Sequence, residues 1–222
     1  TVTATPVSQT ICHNTATSIG LTTTITGVAV TYTWTATLVD GVASGFANGS
    51  GATIAQTLLN TSTAPATVRY TITPAIGSCT GAAVTVDAIA NPAGQVNTIG
   101  SQVVCVGTNT ADVFFTTNNT VGATTYTWTN SNTAIGLAAA GTGDILSFTT
   151  NNTGTSPLVA NIVVTPYFDY AGRICSGSTK TFSITVNPAG QVNLPSNQFK
   201  CTGALTTVNF GTLNSGGITT YE

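Results

Sequence analysis

The string "NPAGQVN" occupies positions 91–97 and returns at 187–193, 96 residues later. A repeat of this period restricts the chain to folds that build one module more than once. The flanking sequence keeps the same spacing. "SQTIC" at 8–12 answers to "SQVVC" at 101–105, and "NQFKC" at 197–201 opens a third copy. "TYTWT" stands at 31–35 and 125–129, "YTITP" at 70–74 matches "IVVTP" at 162–166, and "CTG" at 79–81 matches "CSG" at 175–177. The heptapeptide therefore marks the junction between copies. Copy one is expected over 1–91, copy two over 92–187, and copy three over 188–222. Tyr221 falls where Tyr32 and Tyr126 fall, so the third copy is expected to be cut short within a strand.

Each copy reads as β-structure. Apolar residues alternate with Thr in Val28 to Leu38, where Val28, Val30, Tyr32, Trp34 and Leu38 share a face opposite Thr31, Thr33, Thr35 and Thr37. Val68, Tyr70 and Ile72 alternate in the same way, as do Phe182, Ile184 and Val186; Leu146 and Phe148 suggest a shorter strand. Gly, Asn and Pro separate these runs. About seven short strands in about 95 residues predict an antiparallel β-sandwich of immunoglobulin type. The fold class is thus all-β, with tandem Ig-like modules end to end. Tyr32, Trp34, Tyr126 and Trp128 lie on the apolar faces and are expected in the core. At the junctions, Asn91, Pro92 and Gly94, like Asn187, Pro188 and Gly190, are expected to form the inter-repeat linker. Pro argues for a restricted hinge and Gly for freedom.

Composition narrows the function. Only 5% of residues are charged, the net charge is −2, and Arg69, Arg173, Lys180 and Lys200 are the only strong bases. No basic patch can form, so nucleic acid and anionic lipid are not expected partners. No apolar run approaches the length of a spanning helix, so a membrane span is not expected.

The five cysteines fall at repeating positions. One disulfide per module, Cys12–Cys79 and Cys105–Cys175, is the favoured pairing, with the partner of Cys201 missing. Bridges between modules, Cys79–Cys105 and Cys175–Cys201, each 26 residues apart, are the rival, and free thiols the third possibility. Paired cysteines would place the chain in an oxidising, extracellular compartment.

Chemistry is scarce. His13 is the only histidine, and copies two and three have Val106 and Thr202 in its place. It is expected on the surface, not in a metal or Cys-His site. Asp40, Asp87, Asp112, Asp144, Asp169 and Glu222 do not recur at equivalent positions, so neither a calcium site nor a glycosidase pair is expected. "GSGA" at 49–52 and "GTGD" at 141–144 read as turns. No catalytic residue, metal or cofactor is expected, and the chain is not expected to be an enzyme.

The pattern "SQTIC…TYTWT…YTITP…CTG…NP", with "SQVVC…TYTWTNSNTAIGL…VTP…CSG…TFSITVNP" in copy two, resembles the PKD-like, Ig-like repeats of giant Bacteroidetes cell-surface proteins. SprB-type gliding-motility adhesins carry such repeats. Copy one departs in reading "ATLVDGVASGF" after Trp34, so its loops are expected to differ. The resemblance implies a secreted protein on the outer cell surface, exported by the type IX secretion system. Its implied partners are the secretion and gliding machinery, together with a surface polysaccharide or substratum of unknown identity. It implies an adhesin or filament segment whose modules grip a ligand or act as a stalk. Two further readings remain: a self-assembling extracellular fibre, and an accessory module of a secreted polysaccharide-degrading enzyme.

Overall fold

The computed structural model describes residues 1–222, which form seventeen strands and one 3-10 turn, Thr133–Ile135. The protein is all-β. Alternation of side chains is what places the core. Strand Thr31–Asp40 buries Tyr32 and Trp34 while Thr31, Thr33, Thr35 and Thr37 face water. Ala66–Ile76 buries Val68, Tyr70 and Ile72 completely, and Lys180–Asn187 buries Phe182, Ile184 and Val186. Two of the predicted strand readings shift. Val28 precedes the strand and is exposed, and Leu38 turns outward at a bulge between Leu38 and Asp40. Leu146 and Phe148 form no strand. There, side chains capture the amides that a neighbouring strand would bind: Asp112 accepts from the Ser147 N–H (2.6 Å), and Asp144 from the Phe115 N–H (2.7 Å).

In copy one, Val2–Thr5, Ile19–Thr23 and Thr53–Ile54 make a small sheet in that order. The larger sheet runs Ser8–Cys12, Val84–Asn91, Ala66–Ile76, Thr31–Asp40, Gly49–Ser50, with Cys79–Thr80 folded back on Ala66–Ile76. Between them lies one core, with Val2, Ile19, Leu21 and Ile54 from the first sheet and Trp34, Val68, Tyr70, Ile72 and Val86 from the second. This is a β-sandwich. Its strands pair antiparallel except Ser8–Cys12, which runs parallel to Val84–Asn91 and sets Cys12 opposite Asn91. Copy two repeats the larger sheet as Gln102–Cys105, Lys180–Asn187, Leu158–Tyr170, Ala123–Asn130, Ala140–Thr142, with Arg173–Ser176 folded back on Leu158–Tyr170. Its first strand is again parallel to its last, and Cys105 stands opposite Asn187. The opposing layer of copy two is reduced to isolated bridges, Asn109–Thr149 and Val113–Ile145.

The chain groups into two compact units that do not follow the linear division of the copies. Unit one comprises Thr1–Asn97, Thr116–Tyr126 and Thr165–Thr179; unit two comprises Thr98–Phe115, Thr127–Val164 and Lys180–Glu222. Residues 165–179 of copy two, the end of a 13-residue strand and its return, thus belong to the compact unit built around copy one. Residues 188–222 carry no strand; Leu194, Phe199, Leu205 and Ile218 are exposed, and the Phe210 and Tyr221 rings stack with centroids 5.6 Å apart. No helix is long and apolar enough to cross a membrane.

Candidate functional site: the joint between copies

The disulfide of unit one joins Cys12 to Cys175, with Cα atoms 5.5 Å apart, and Cys79, Cys105 and Cys201 are free and exposed. This corrects the pairings Cys12–Cys79 and Cys105–Cys175, and equally the rival bridges Cys79–Cys105 and Cys175–Cys201. The strand registers give the reason. Cys12 lies opposite Asn91, next to the Ala66 end of the central strand, whereas Cys79 lies opposite Ile76 at its other end. Ten residues of strand separate these ends by about 33 Å, far beyond disulfide reach. In copy two the return Arg173–Ser176 places Cys175 opposite Phe168, near the tip of the longer hairpin, and that tip reaches Cys12.

The linker is pinned around this bond. Asn91 is fully buried, and its Nδ2 donates to the carbonyls of Tyr170 (2.9 Å) and Arg173 (3.0 Å) at the hairpin tip. The Gly94 N–H donates to the Cys175 carbonyl at 3.3 Å. Only glycine tolerates this approach, because a Cβ on Gly177 would fall 1.6 Å from the Gly94 carbonyl oxygen, and one on Gly94 would fall 2.6 Å from that of Pro166. On its other side the linker meets Asn119, whose Oδ1 accepts the Gln95 N–H (2.7 Å) and whose Nδ2 donates to the Ala93 carbonyl (3.2 Å). The Thr120 N–H donates to the Thr63 carbonyl (2.8 Å), and the Asn97 N–H to that of Thr116 (2.8 Å).

Unit two contains the same clamp at the second junction. Asn214 Oδ1 accepts the Gln191 N–H (2.7 Å) and its Nδ2 donates to Ala189 (3.0 Å), while Ser215 N–H donates to Thr155 (2.9 Å) and Asn193 N–H to Gly211 (2.7 Å). Four hydrogen bonds thus recur about one period apart. Neither Asn119 nor Asn214 stood out in an Asn-rich sequence. Their signal is a Thr two residues earlier, Thr117 or Thr212, whose hydroxyl accepts the Asn N–H at 3.0 Å in both copies.

Residues 9–94 match the family model described as a PKD-like domain. That stretch is copy one almost entire, and it supports a PKD-like repeat as the building block of the chain. Among solved structures, mouse cadherin-23 EC22-24 is 12% identical over 86% of this chain and 67% of that chain, with a TM-score of 0.33. Human mucin-like protocadherin EC1-2 is 10% identical over 85% of this chain and 99% of that chain, with a TM-score of 0.29. No curated protein sequence matches.

Other polar residues away from the joint serve the architecture of each copy. Buried Asn60 donates from Nδ2 to the carbonyls of Ala64 (2.8 Å) and Ala90 (2.7 Å), tying the approach to one strand to the end of the last. Asn152 does the same to Ser156 (2.9 Å) and Val186 (2.8 Å) in copy two. The shared string N-T-x-T-x-P at 60–65 and 152–157 carries this device and was readable in the sequence. His13 is drawn into it, its Nδ1 accepting the Asn60 N–H at 3.0 Å, so it braces a turn instead of merely lying on the surface. Trp34 and Trp128 are buried under glycine: Gly49 and Gly141 are their cross-strand partners, and a Cβ on either would fall 2.7 Å or 2.2 Å from the indole. "GSGA" and "GTGD" are therefore lids over tryptophan, in short edge strands, and not only turns. Tyr32 and Tyr126 are buried beside them in sequence. No group of three or more His, Cys, Asp or Glu side chains converges. The joint is built of amides, carbonyls and a sulfur bridge that tie one copy to residues of the next.

Proposed function

We propose that the chain is a non-catalytic repeat segment of a large secreted bacterial cell-surface adhesin or filament, and that these copies serve as stalk. The observation that carries this reading is the Cys12–Cys175 bond, which links copies that are already joined by the main chain. A second covalent path across a junction suits a segment that bears load. The disulfide favours an oxidising compartment outside the cytoplasm. The Thr-rich exposed faces, with 5% charged residues over the chain, present no shared charged or aromatic cluster that would grip a ligand. Export by the type IX system, partnership with a gliding machinery and a Bacteroidetes origin rest on the resemblance of the repeat motifs alone.

The test is binding by the folded chain under non-reducing conditions to surface polysaccharides, glass and whole cells. The stalk reading expects no saturable binding. Saturable binding, lost on unfolding, would move the function to the copies themselves and make them adhesive modules.

A further inference from the structure

The two junctions share a sequence but not a covering. At residues 91–97 the hairpin 165–179 closes the joint, and Asn91, Pro92, Gly94 and Val96 are buried. At 187–193 Val192 is 58% exposed, Gly190 has open space where Gly94 has a neighbour, and a cavity of about 350 Å³ is lined by Asn187, Pro188, Gly190 and Asn214. Cys105 stands beside this open joint as Cys12 stands beside the closed one. Each lies opposite the first residue of the heptapeptide, Asn187 or Asn91. The next residue in each case donates its N–H to that Asn carbonyl, Val106 at 2.9 Å and His13 at 2.7 Å. Thr108 and Thr15 each return a hydroxyl to the cysteine carbonyl. The same backbone thus presents a thiol that is bonded in one copy and free and exposed in the other.

We propose that the surface formed by Cys105, Asn187 and Gly190 is a docking site for one occupant, a hairpin of the form of residues 165–179 from a further copy of this repeat. The cysteine of that hairpin bonds to Cys105. The bound hairpin supplies two carbonyls to Asn187 Nδ2, as Tyr170 and Arg173 do to Asn91, and its glycine lies on Gly190 as Gly177 lies on Gly94. Closing the bridge breaks two S–H bonds and forms one S–S bond. The two protons and two electrons pass to a disulfide oxidant, which leaves as two thiols. The equivalence of Cys79 and Cys175 gives the hairpin of copy one the complementary part: its Gly81 N–H bonds the Pro74 carbonyl as Gly177 bonds Pro166. A PKD-like array then carries a ladder of disulfides, each from the first cysteine of one copy to the second cysteine of the next. This inference does not depend on whether the array is a stalk or an adhesive.

The test is a chain in which residues 98–193 occur twice in succession, with all else unchanged. It is oxidised, its free thiols are alkylated under denaturing conditions, and its bridges are mapped by peptide mass spectrometry. The expected map keeps Cys12–Cys175 and adds a bridge from the first Cys105 to the second copy of Cys175, so that Cys105 loses its alkylation while Cys79 keeps it. Substituting Gly190→Trp in the first of the two copies should restore alkylation of that Cys105. The Cys12–Cys175 bridge in the same molecule reports that the chain has folded. A free first Cys105 beside an intact Cys12–Cys175 bridge would overturn the proposal. So would bridges within copies, Cys12–Cys79 and Cys105–Cys175, or closure undisturbed by the tryptophan.

Discussion

The same seven residues lie mostly buried at 91–97 and largely exposed at 187–193. Their sequence is identical, so the difference comes from what surrounds them. The clamp built on Asn119 in one place and Asn214 in the other is nearly superposable in its hydrogen bonds, and it leaves the second linker open to water. At the closed joint the hairpin 165–179 and its bridge to Cys12 are added. The closed joint therefore has two layers: a local clamp that both junctions carry, and a cover that comes from the neighbouring copy.

The largest expected effect comes from breaking the cover. Cys12→Ser removes a cross-link between residues 163 apart and should cost the unfolding of unit one about 2–4 kcal/mol, read by denaturant titration without reductant. Cys105→Ser, at the open joint, should stay within about 0.5 kcal/mol. Equal effects would erase the distinction between the joints.

A comparison of the two copies comes next. Tyr70 occupies the position held by Ile162 in copy two, is fully buried, and donates its hydroxyl to Gln56 Oε1 at 3.0 Å. Burial pushes its pKa up to about 12. The folded state holds this proton more tightly than the unfolded chain, so its contribution is complete below about pH 10 and fades as pH rises towards 12. The loss by then is roughly 2–3 kcal/mol. Tyr70→Phe should remove that alkaline decline, and an unchanged decline would assign it elsewhere.

Gly94→Ala and Gly190→Ala make a matched pair. The first forces a Cβ against the Pro166 carbonyl and should cost about 1–3 kcal/mol; the second meets nothing and should be neutral within about 0.5 kcal/mol. The smallest effect belongs to Arg69 and Asp87, directly opposed across two strands and joined by two 2.8 Å hydrogen bonds. The Arg69 hydrogen bonds hold the Asp87 carboxyl below its usual range. Its contribution is present above the unfolded carboxylate pKa and is lost as pH falls through the lowered folded value. Both groups face water, so Asp87→Asn should barely alter acid unfolding.

Much of this was legible in the sequence. Alternation around Trp34, Tyr70 and Ile184 located the core, because a strand with one wet face must write its pattern at period two. The heptapeptide identified the joints. The disulfide was not legible, because spacing along the chain does not say which end of a strand a cysteine occupies; Cys79 and Cys12 share a copy and sit at opposite ends of its sheet. The reach of residues 165–179 beyond their own copy is hidden for the same reason, since nothing local announces that a 13-residue strand outruns its sheet. Gly49 and Gly141 look like turn residues in the sequence, because a glycine chosen for the tryptophan beneath it looks like one chosen for its backbone. Asn119 and Asn214 were hidden by the abundance of asparagine around them.

The most direct test is amide hydrogen exchange in the oxidised chain, comparing 91–97 with 187–193 in peptides distinguished by their flanking residues. Intrinsic exchange rates within the two heptapeptides are the same, so any difference is structural. The two-layer joint predicts strong protection at Gly94 and Gln95, weaker protection at Gln191 and little at Gly190, with the excess at Gly94 lost on reduction of Cys12–Cys175. Equal protection at both linkers, before and after reduction, would contradict it.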